Sequence, residues 1–413
     1  EVYIMQAKNR YAGLDIGSHK ICCAVGTVGP EGELVLSGMA EAPSDGVKGG
    51  IIVNMHKAST QVAEVLKRVE GDCGFKTGPL HVAITGDHIR GLNSRGAISI
   101  SMIENEITEE EIERVVELAK NVRIPEDQER LHVMPQHYAV DDQGGICDPI
   151  GMSGERLEVE VHIVTASMTA AGDLLECVKQ AGSDVREIVN SPIAASEVLL
   201  TPEEKRNGSV MIDIGAGTVD VVLHYEDTVW HTASIPLGGR NVTSDIAYGL
   251  RLPMDAAEEL KICQGSAVIS RVDPKEKLTL PDLGEFYQRR ISRTVLAAII
   301  EPRVEEIFQM IKKQLVNTPV FDRIDAGIIL TGGGACLTDI ECLAERIFGL
   351  KARLATPRIS EDEFCFSNPY GAAVATGLVK YGFMQRSPYR VQPGVFGRMA
   401  RGFEKAVSAI LNI

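Results

Sequence analysis

The sequence predicts an α/β protein built from two similar lobes that close on one polyphosphate. Three glycine clusters predict it. Asp15-Ile16-Gly17-Ser18 and Asp213-Ile214-Gly215-Ala216-Gly217-Thr218 each end one short apolar run and precede another, at residues 21–25 and 219–223. Each reads as strand, glycine turn, strand. Two such hairpins in one chain read as a duplication whose tips share a ligand. In the third cluster, the apolar run 326–330 enters Thr331-Gly332-Gly333-Gly334-Ala335, and residues 337–348 then follow a helical pattern. A strand that turns on consecutive glycines into a helix lets backbone approach a nucleotide closely. A flexible linker would be polar on both sides, and this turn is flanked by apolar runs.

The residue types in the first two turns specify the chemistry. Glycine lets successive backbone N–H groups converge on an anion without a Cβ in the way. Ser18 and Thr218 add hydroxyl donors. Asp15 and Asp213 would repel bare phosphate, so they point to a divalent metal, Mg²⁺ with its water shell, between them and the anion. A single turn of this composition is common in ordinary hairpins. The repetition in matching strand contexts carries the reading.

The first half also holds an insertion. Residues 80–84 and 97–101 read as strands. Thr108 with Glu111 three residues on forms a capping box, and Ile112, Val115, Val116 and Ala119 make one helical stripe. Residues 134–140 and 157–165 supply further strands. A small α/β subdomain is therefore expected at 81–165, inside a first lobe at 1–80 and 166–200. The second lobe is expected at 201–237 and 324–383, with an upper subdomain at 238–323. There, residues 241–246 look like a helix start and 283–316 have long helical periodicity. Its Arg289, Arg290, Arg293 and Arg303 read on the residues alone as a solvated helix face.

The chain from residue 384 reads as a linker with Pro388, Pro393 and Gly394, followed by a helix. Val395, Phe396, Met399, Phe403, Val407, Ile410 and Leu411 recur at helical spacing, opposite Arg398, Arg401 and Lys405. From residue 384 onward there are five Lys/Arg and one acid on a protein of net charge −15. A basic amphipathic helix beyond a linker reads as an anchor for an anionic membrane surface, the alternative being a helix packed on the protein's own core.

Composition bounds these readings. At 413 residues the chain exceeds one ordinary core, and about two to four compact units are expected. Hydrophobic content of 44% and charged content of 24% are globular values. The acidic balance excludes nucleic acid as an expected partner, because phosphate backbones need a basic face. Nine dispersed cysteines without a C-x-x-C pair suggest free thiols in a reducing compartment and no zinc. No secretory signal is visible, no run approaches the roughly 20 apolar residues of a membrane span, and Met5 is a candidate natural start after a four-residue extension.

The motifs occur in a telling order. The first turn is followed by Ser191-Pro192-Ile193-Ala194-Ala195-Ser196, the second turn, the triple-glycine turn and Asn368-Pro369-Tyr370-Gly371-Ala372-Ala373. This order resembles the five-part signature of the actin-like ATPase superfamily. Within it, residues 13–21, 212–221 and 329–335 resemble the bacterial cell-division FtsA family, and the resemblance extends over nearly the whole chain, insertion and tail included. It implies an actin-like fold of two duplicated α/β lobes closing on ATP and Mg²⁺, with an FtsA-type inserted subdomain in the first lobe. It implies that Gly17, Ser18 and Lys20 contact phosphates from one side, and Gly215, Ala216, Gly217 and Thr218 from the other. Asp15 and Asp213 would hold the hydrated metal, and Gly332, Gly333 and Gly334 would lie against the adenosine. Glu258 and Lys261 would bracket ribose and base; on the residues alone they read as a surface ion pair.

One departure bears on catalysis. In rod-forming and chaperone relatives a glutamate just before the proline positions the attacking water, and here Ser191 stands there, preceded by Asn190. Serine is not a general base unaided. ATP binding is therefore expected, with hydrolysis slow or regulatory and Asp213 the only obvious catalytic carboxylate. The resemblance further implies filaments, recruitment of later division proteins by the insertion, and capture of the C-terminal peptide of the tubulin-like ring protein FtsZ by the upper subdomain, where Arg289, Arg290, Arg293 and Arg303 would attract that peptide if it is acidic. It implies a place on the cytoplasmic face of the inner membrane at the division site. The alternatives are a sugar or acetate-type kinase of the same fold, which would have no use for the basic tail, and a pilus-assembly relative.

Overall fold

Short β-rich apolar runs punctuated by glycine turns build the first lobe. The computed structural model describes residues 10–100, 106–280, 289–359 and 368–385. Strands β1 (Arg10–Ile16), β2 (Lys20–Val28) and β3 (Leu34–Pro43) form an antiparallel meander. A ribbon of β4 (Val47–Lys48) and β5 (Ile51–Ile52) leads to helix α1 (Met55–Cys73). The Asn54 side chain accepts from the Lys57 N–H to start α1, and Gly74 in the left-handed region ends it. Strand β6 (Leu80–Ile84) then runs parallel to β1, and all five of its residues are buried.

The insertion follows as β7 (Arg90–Ser99), α2 (Glu109–Lys120), β8 (Gln128–Val140), β9 (Gln143–Ile146) and β10 (Arg156–Ser167), with sheet order β7-β10-β8-β9. Helix α2 lays Val115 and Ala119 onto this sheet, where they meet Leu157, Val159 and Val161. The chain returns to the first lobe through α3 (Met168–Gln180) and β11 (Val185–Asn190), which pairs in parallel with β6. The first-lobe sheet is thus β11-β6-β1-β2-β3.

Helices α4 (Ser191–Leu199) and α5 (Pro202–Asn207) lead to the second lobe. Strands β12 (Ser209–Ile214), β13 (Val219–Tyr225) and β14 (Thr228–Ile235) repeat the meander. The upper subdomain follows: α6 (Gly239–Leu250), α7 (Met254–Gln264), the ribbon β15 (Lys277–Thr279) with β16 (Arg290–Ser292), and α8 (Arg293–Leu315). Then β17 (Gly327–Thr331), α9 (Ile340–Phe348) and β18 (Ala352–Leu354) complete a sheet ordered β14-β13-β12-β17-β18. Both sheets are a three-stranded meander extended by two parallel strands, which is the duplication the two glycine hairpins predict.

Three expectations are corrected. Residues 81–84 do not open the insertion: β6 is an inner strand of the first-lobe sheet, its backbone paired with β1 on one side and β11 on the other and both its faces covered, as in a parallel sheet. Residues 324–383 do not all belong to the second lobe. Helix α10 (Ala373–Met384) packs its apolar surface on β1, β2 and α4. The helix expected at 337–348 starts only at Ile340, after a 3₁₀ turn over Gly333–Cys336. The tail residues Val395, Phe396, Arg398, Met399, Arg401, Phe403, Lys405, Val407, Ile410 and Leu411 lie outside the described residues.

The lobes are joined by burial as well as by chain. Met211, Val222, Val229 and Ile329 of the second lobe share one apolar cluster with Leu14, Val82, Ile193 and Leu378 of the first. Full burial of a side chain of this size contributes about 1.5–3 kcal/mol.

Candidate nucleotide-binding site

The two glycine turns close in the same way. The Gly17 N–H donates to the Lys20 carbonyl at 3.0 Å, and the Gly215 N–H to the Thr218 carbonyl at 2.9 Å. The tips meet across the cleft: a Cβ on Gly217 would lie 2.8 Å from Ser18 Oγ and 3.0 Å from the Gly49 nitrogen. Ser18 Oγ accepts from the Gly50 N–H at 3.2 Å, and Arg240 donates to the Ser18 carbonyl at 3.3 Å. Thr218 is buried. The third turn is stacked on the second. Gly332 has φ +85, and a Cβ there would fall 2.2 Å from Asp213 Oδ1 and 2.6 Å from the Ile214 carbonyl oxygen. Gly334 lies equally close against Ile214.

A pocket opens beside this stack, lined by Ile214, Gly333, Gly334, Cys336, Ile262 and Lys261 among others. Its walls are mostly apolar, as suits a planar base. At its edge Lys261 Nζ donates to Glu258 Oε2 at 2.8 Å, Thr243 Oγ1 at 2.9 Å and the Gly239 carbonyl at 3.1 Å. Burial opposes ionisation of Glu258, but the Lys261 ammonium and the Thr243 hydroxyl outweigh it and hold the carboxyl below the usual range. The pair is an ion pair, as its spacing allows, and it also borders the pocket.

Beneath the tips lies a group of carboxylates. Burial pushes Asp15 up to about 6; Lys20 opposes the shift and Asp220 adds to it. Asp213 is raised by burial, then by the charges of Asp220 and Asp15. Asp220 sits opposite Asp213 in the β12–β13 ladder. Burial pushes it up to about 6 against the hydroxyls of Thr85, Ser234 and Thr218, of which Thr85 Oγ1 donates at 2.5 Å. Asp213 is therefore not the only carboxylate at the site. The sequence signal for Asp220 was a lone acid inside the apolar strand 219–223.

Buried carboxylates that repel one another are a hard-oxygen donor set short of positive charge, which a divalent cation would supply. Lys20 does not supply it in full: its Nζ is 2.5 Å from Glu41 Oε2 and packs against Gly371. Among the described residues no group of three or more His, Cys, Asp or Glu side chains forms a direct metal cage. Ser191 is buried, and its Oγ donates to the Ile84 carbonyl at 3.1 Å. In the upper subdomain Arg293 is paired with Glu276 at 3.0 Å and Arg303 with Asp245 at 2.6 Å, while Arg289 and Arg290 are exposed.

The model described as the SHS2 domain inserted in FTSA matches residues 86–165, and that of cell division protein FtsA matches residues 210–377. The cell division protein FtsA of Pseudomonas aeruginosa is 37% identical over 385 residues, 93% of this chain and 91% of its own. The chain belongs to the FtsA family. Other FtsA proteins agree: that of Borreliella burgdorferi is 38% identical over 85% of each chain, and that of Escherichia coli K12 is 33% identical over 90% of this chain and 89% of its own. The match to the inserted domain begins two residues past β6, in keeping with the strand's place in the first-lobe sheet.

Solved structures show that this FtsA-family chain has the actin-like ATPase fold. A PilM-PilN type IV pilus biogenesis complex aligns with TM-score 0.64 at 19% identity, over 90% of this chain and 98% of that one. MreB 5 of Spiroplasma citri bound to AMPPNP aligns with TM-score 0.54 at 17% identity, over 92% and 97%. The family is one of cell division proteins. Among the described residues no helix is long and apolar enough to cross a membrane.

Proposed function

We propose that this FtsA-family protein binds ATP with Mg²⁺, polymerises, and tethers FtsZ filaments to the inner membrane at the division site. The observation that carries the nucleotide reading is the meeting of three glycine turns over buried carboxylates in one interlobe cleft. Gly17 and Ser18 on one tip and Gly215, Ala216, Gly217 and Thr218 on the other would border the phosphates, with the Ala216 and Gly217 N–H groups and the Ser18 and Thr218 hydroxyls as donors, because the Gly17 and Gly215 N–H groups close their own turns. Asp15 and Asp213 would hold Mg²⁺ through water, and the metal's role there is to neutralise phosphate charge. Gly332, Gly333 and Gly334 would face the adenosine, with Lys261 and Glu258 at the ribose. Lys20 would reach a phosphate only by leaving Glu41. Catalysis of hydrolysis is weakly equipped: Ser191 is committed to a backbone carbonyl, so Asp213 would have to order water without a glutamate's help. The nucleotide-bound MreB supports the same use of the fold.

The tail supports the membrane part. Its apolar stripe and its Arg398, Arg401 and Lys405 suit an anionic surface, and a single anchor of this size binds reversibly. Filaments would multiply the attachment by effective concentration. FtsZ capture is assigned to the upper subdomain, where Arg289 and Arg290 are free to meet an acidic peptide better than the internally paired Arg293 and Arg303. Recruitment of later division proteins is assigned to the inserted subdomain. The test is co-sedimentation with anionic vesicles in the presence of ATP and Mg²⁺, comparing the full chain with one ending at Phe383. The full chain should pellet and the shortened one should not. If both stay in solution, the membrane reading is wrong.

A further inference from the structure

The inserted subdomain touches more than the lobe that carries it. Its strands enter and leave the first lobe at one end, where Arg90 pairs with Thr165. Strand β10 alternates between buried and half-buried up to Glu160 and is then continuously buried from Val161 to Ala166. The second covering is β14, the edge strand of the second-lobe sheet. Edge strands expose unpaired backbone groups, and here the insertion occupies that side.

The contact is polar and tightly fitted. His162 on β10 is fully buried; its Nδ1 lies 2.6 Å from Asn93 Oδ1 on β7, and its Nε2 lies 2.9 Å from Thr232 Oγ1 on β14. A neutral imidazole has one donor and one acceptor nitrogen, so the Nδ1–H donates to Asn93 and the Thr232 hydroxyl donates to Nε2. Gln136 on β8 donates to the Val229 carbonyl at 3.0 Å, and the His137 ring stacks on Trp230 at 5.5 Å between centroids. A Cβ on Gly91 would fall 2.7 Å from the Thr232 carbonyl oxygen. Three strands of the insertion thus grip one strand of the other lobe.

That strand is also wired to the cleft. Side chains two apart on a strand share a face, and Ser234 stands two residues from Thr232. Ser234 pairs with Asp220 in the ladder, and its Oγ is 3.2 Å from both Thr85 Oγ1 and the Gly86 nitrogen. The route from the carboxylates to the insertion is therefore Asp220, Thr85, Ser234, Thr232, His162 and Asn93, and every step but the two-residue span of β14 is a hydrogen bond.

We propose that the inserted subdomain is a strut across the two lobes, so that filling of the cleft by a nucleoside triphosphate is felt in the insertion through the His162–Thr232 contact; this rests on the nucleotide reading above. Movement of the second lobe against the first must either carry the insertion with it or break these contacts. The strut thereby couples the bound nucleotide to the surface the insertion offers to partners.

Hydrogen–deuterium exchange of the full chain, with and without ATP and Mg²⁺, tests it. In the wild type, ATP should slow exchange at 213–218 and 331–335, which reports the nucleotide site. It should also slow exchange about threefold at 156–167 and 228–235, which reports the strut. Thr232→Val should keep the first response and lose the second. Asn93→Ala, which unseats His162 without touching the second lobe, should do the same. Protection at the turns without any change at 156–167, or an undiminished response there in both variants, overturns the strut. Absence of protection at the turns overturns the nucleotide reading instead. The strut is then judged without ligand: Thr232→Val must raise exchange about threefold on both sides of the seam, and unchanged rates overturn it.

Discussion

A histidine buried with both nitrogens engaged makes a residue-scale prediction. Burial, then His231 and His132, push His162 down to about 3. Its folded value lies below the unfolded one near 6.5, so the unfolded chain binds more protons in between, and stability falls as pH drops from 6.5. Each unit of acidification withdraws about 1.4 kcal/mol through this ring. Replacing it with a group that does not titrate removes that loss. His162→Gln should cost stability at pH 7.5, and urea titrations should show the gap to the wild type closing by about 2 kcal/mol at pH 5. A gap independent of pH would mean that His162 is protonated alike in both states. The comparison must be made against the wild type at each pH, because Asp15 and Asp220, raised to about 6, act with the opposite sign between 6 and their unfolded values. The residues legible in the sequence were those whose chemistry is odd for a turn, such as Asp15 and Asp213. Asp220 and His162 were not, because each looks like one member of a strand until its partners from other strands arrive.

At the scale of elements, the upper subdomain rests on the packing of α8 against α9. Phe308 is fully buried and meets Phe348 with ring centroids 5.6 Å apart. Phe308→Ala leaves a hole that backbone cannot fill and should destabilise the protein by about 3–5 kcal/mol in urea unfolding. A loss below about 1 kcal/mol would mean the helices close the gap. Hairpins and helices were readable because their signals are local: glycine between apolar runs, a capping box at Thr108, helical stripes. Which sheet a strand joins is not local. Residues 80–84 carry the same pattern whether they open the insertion or complete the first lobe, and only pairing with β1 and β11 decides. Helix α10 was misplaced for the same reason, since its apolar surface fits any apolar partner.

For the whole molecule, one apolar cluster containing residues from both lobes predicts cooperative unfolding. Thermal melting should give a single transition. ATP with Mg²⁺ at a hundred times its dissociation constant should stabilise the fold by about 2.7 kcal/mol, and EDTA should remove most of that shift. Two transitions, of which ATP moves one, would show that the lobes unfold separately. The duplication was visible in the sequence because both hairpins repeat one motif. The seam between insertion and β14 was not, since nothing in Asn93, Gln136 or Thr232 announces a partner far along the chain.

Helix α10, the last described element before the tail, lies on the first lobe, whereas the capture of FtsZ is assigned to the upper part of the second. If the tail holds the membrane and the ring pulls on the far lobe, tension between them must cross from one lobe to the other, through the cleft and through the seam of the insertion on β14. The load of a pulling ring would then be shared between the cleft proposed to hold the nucleotide and the seam on β14, so that traction would be felt at both.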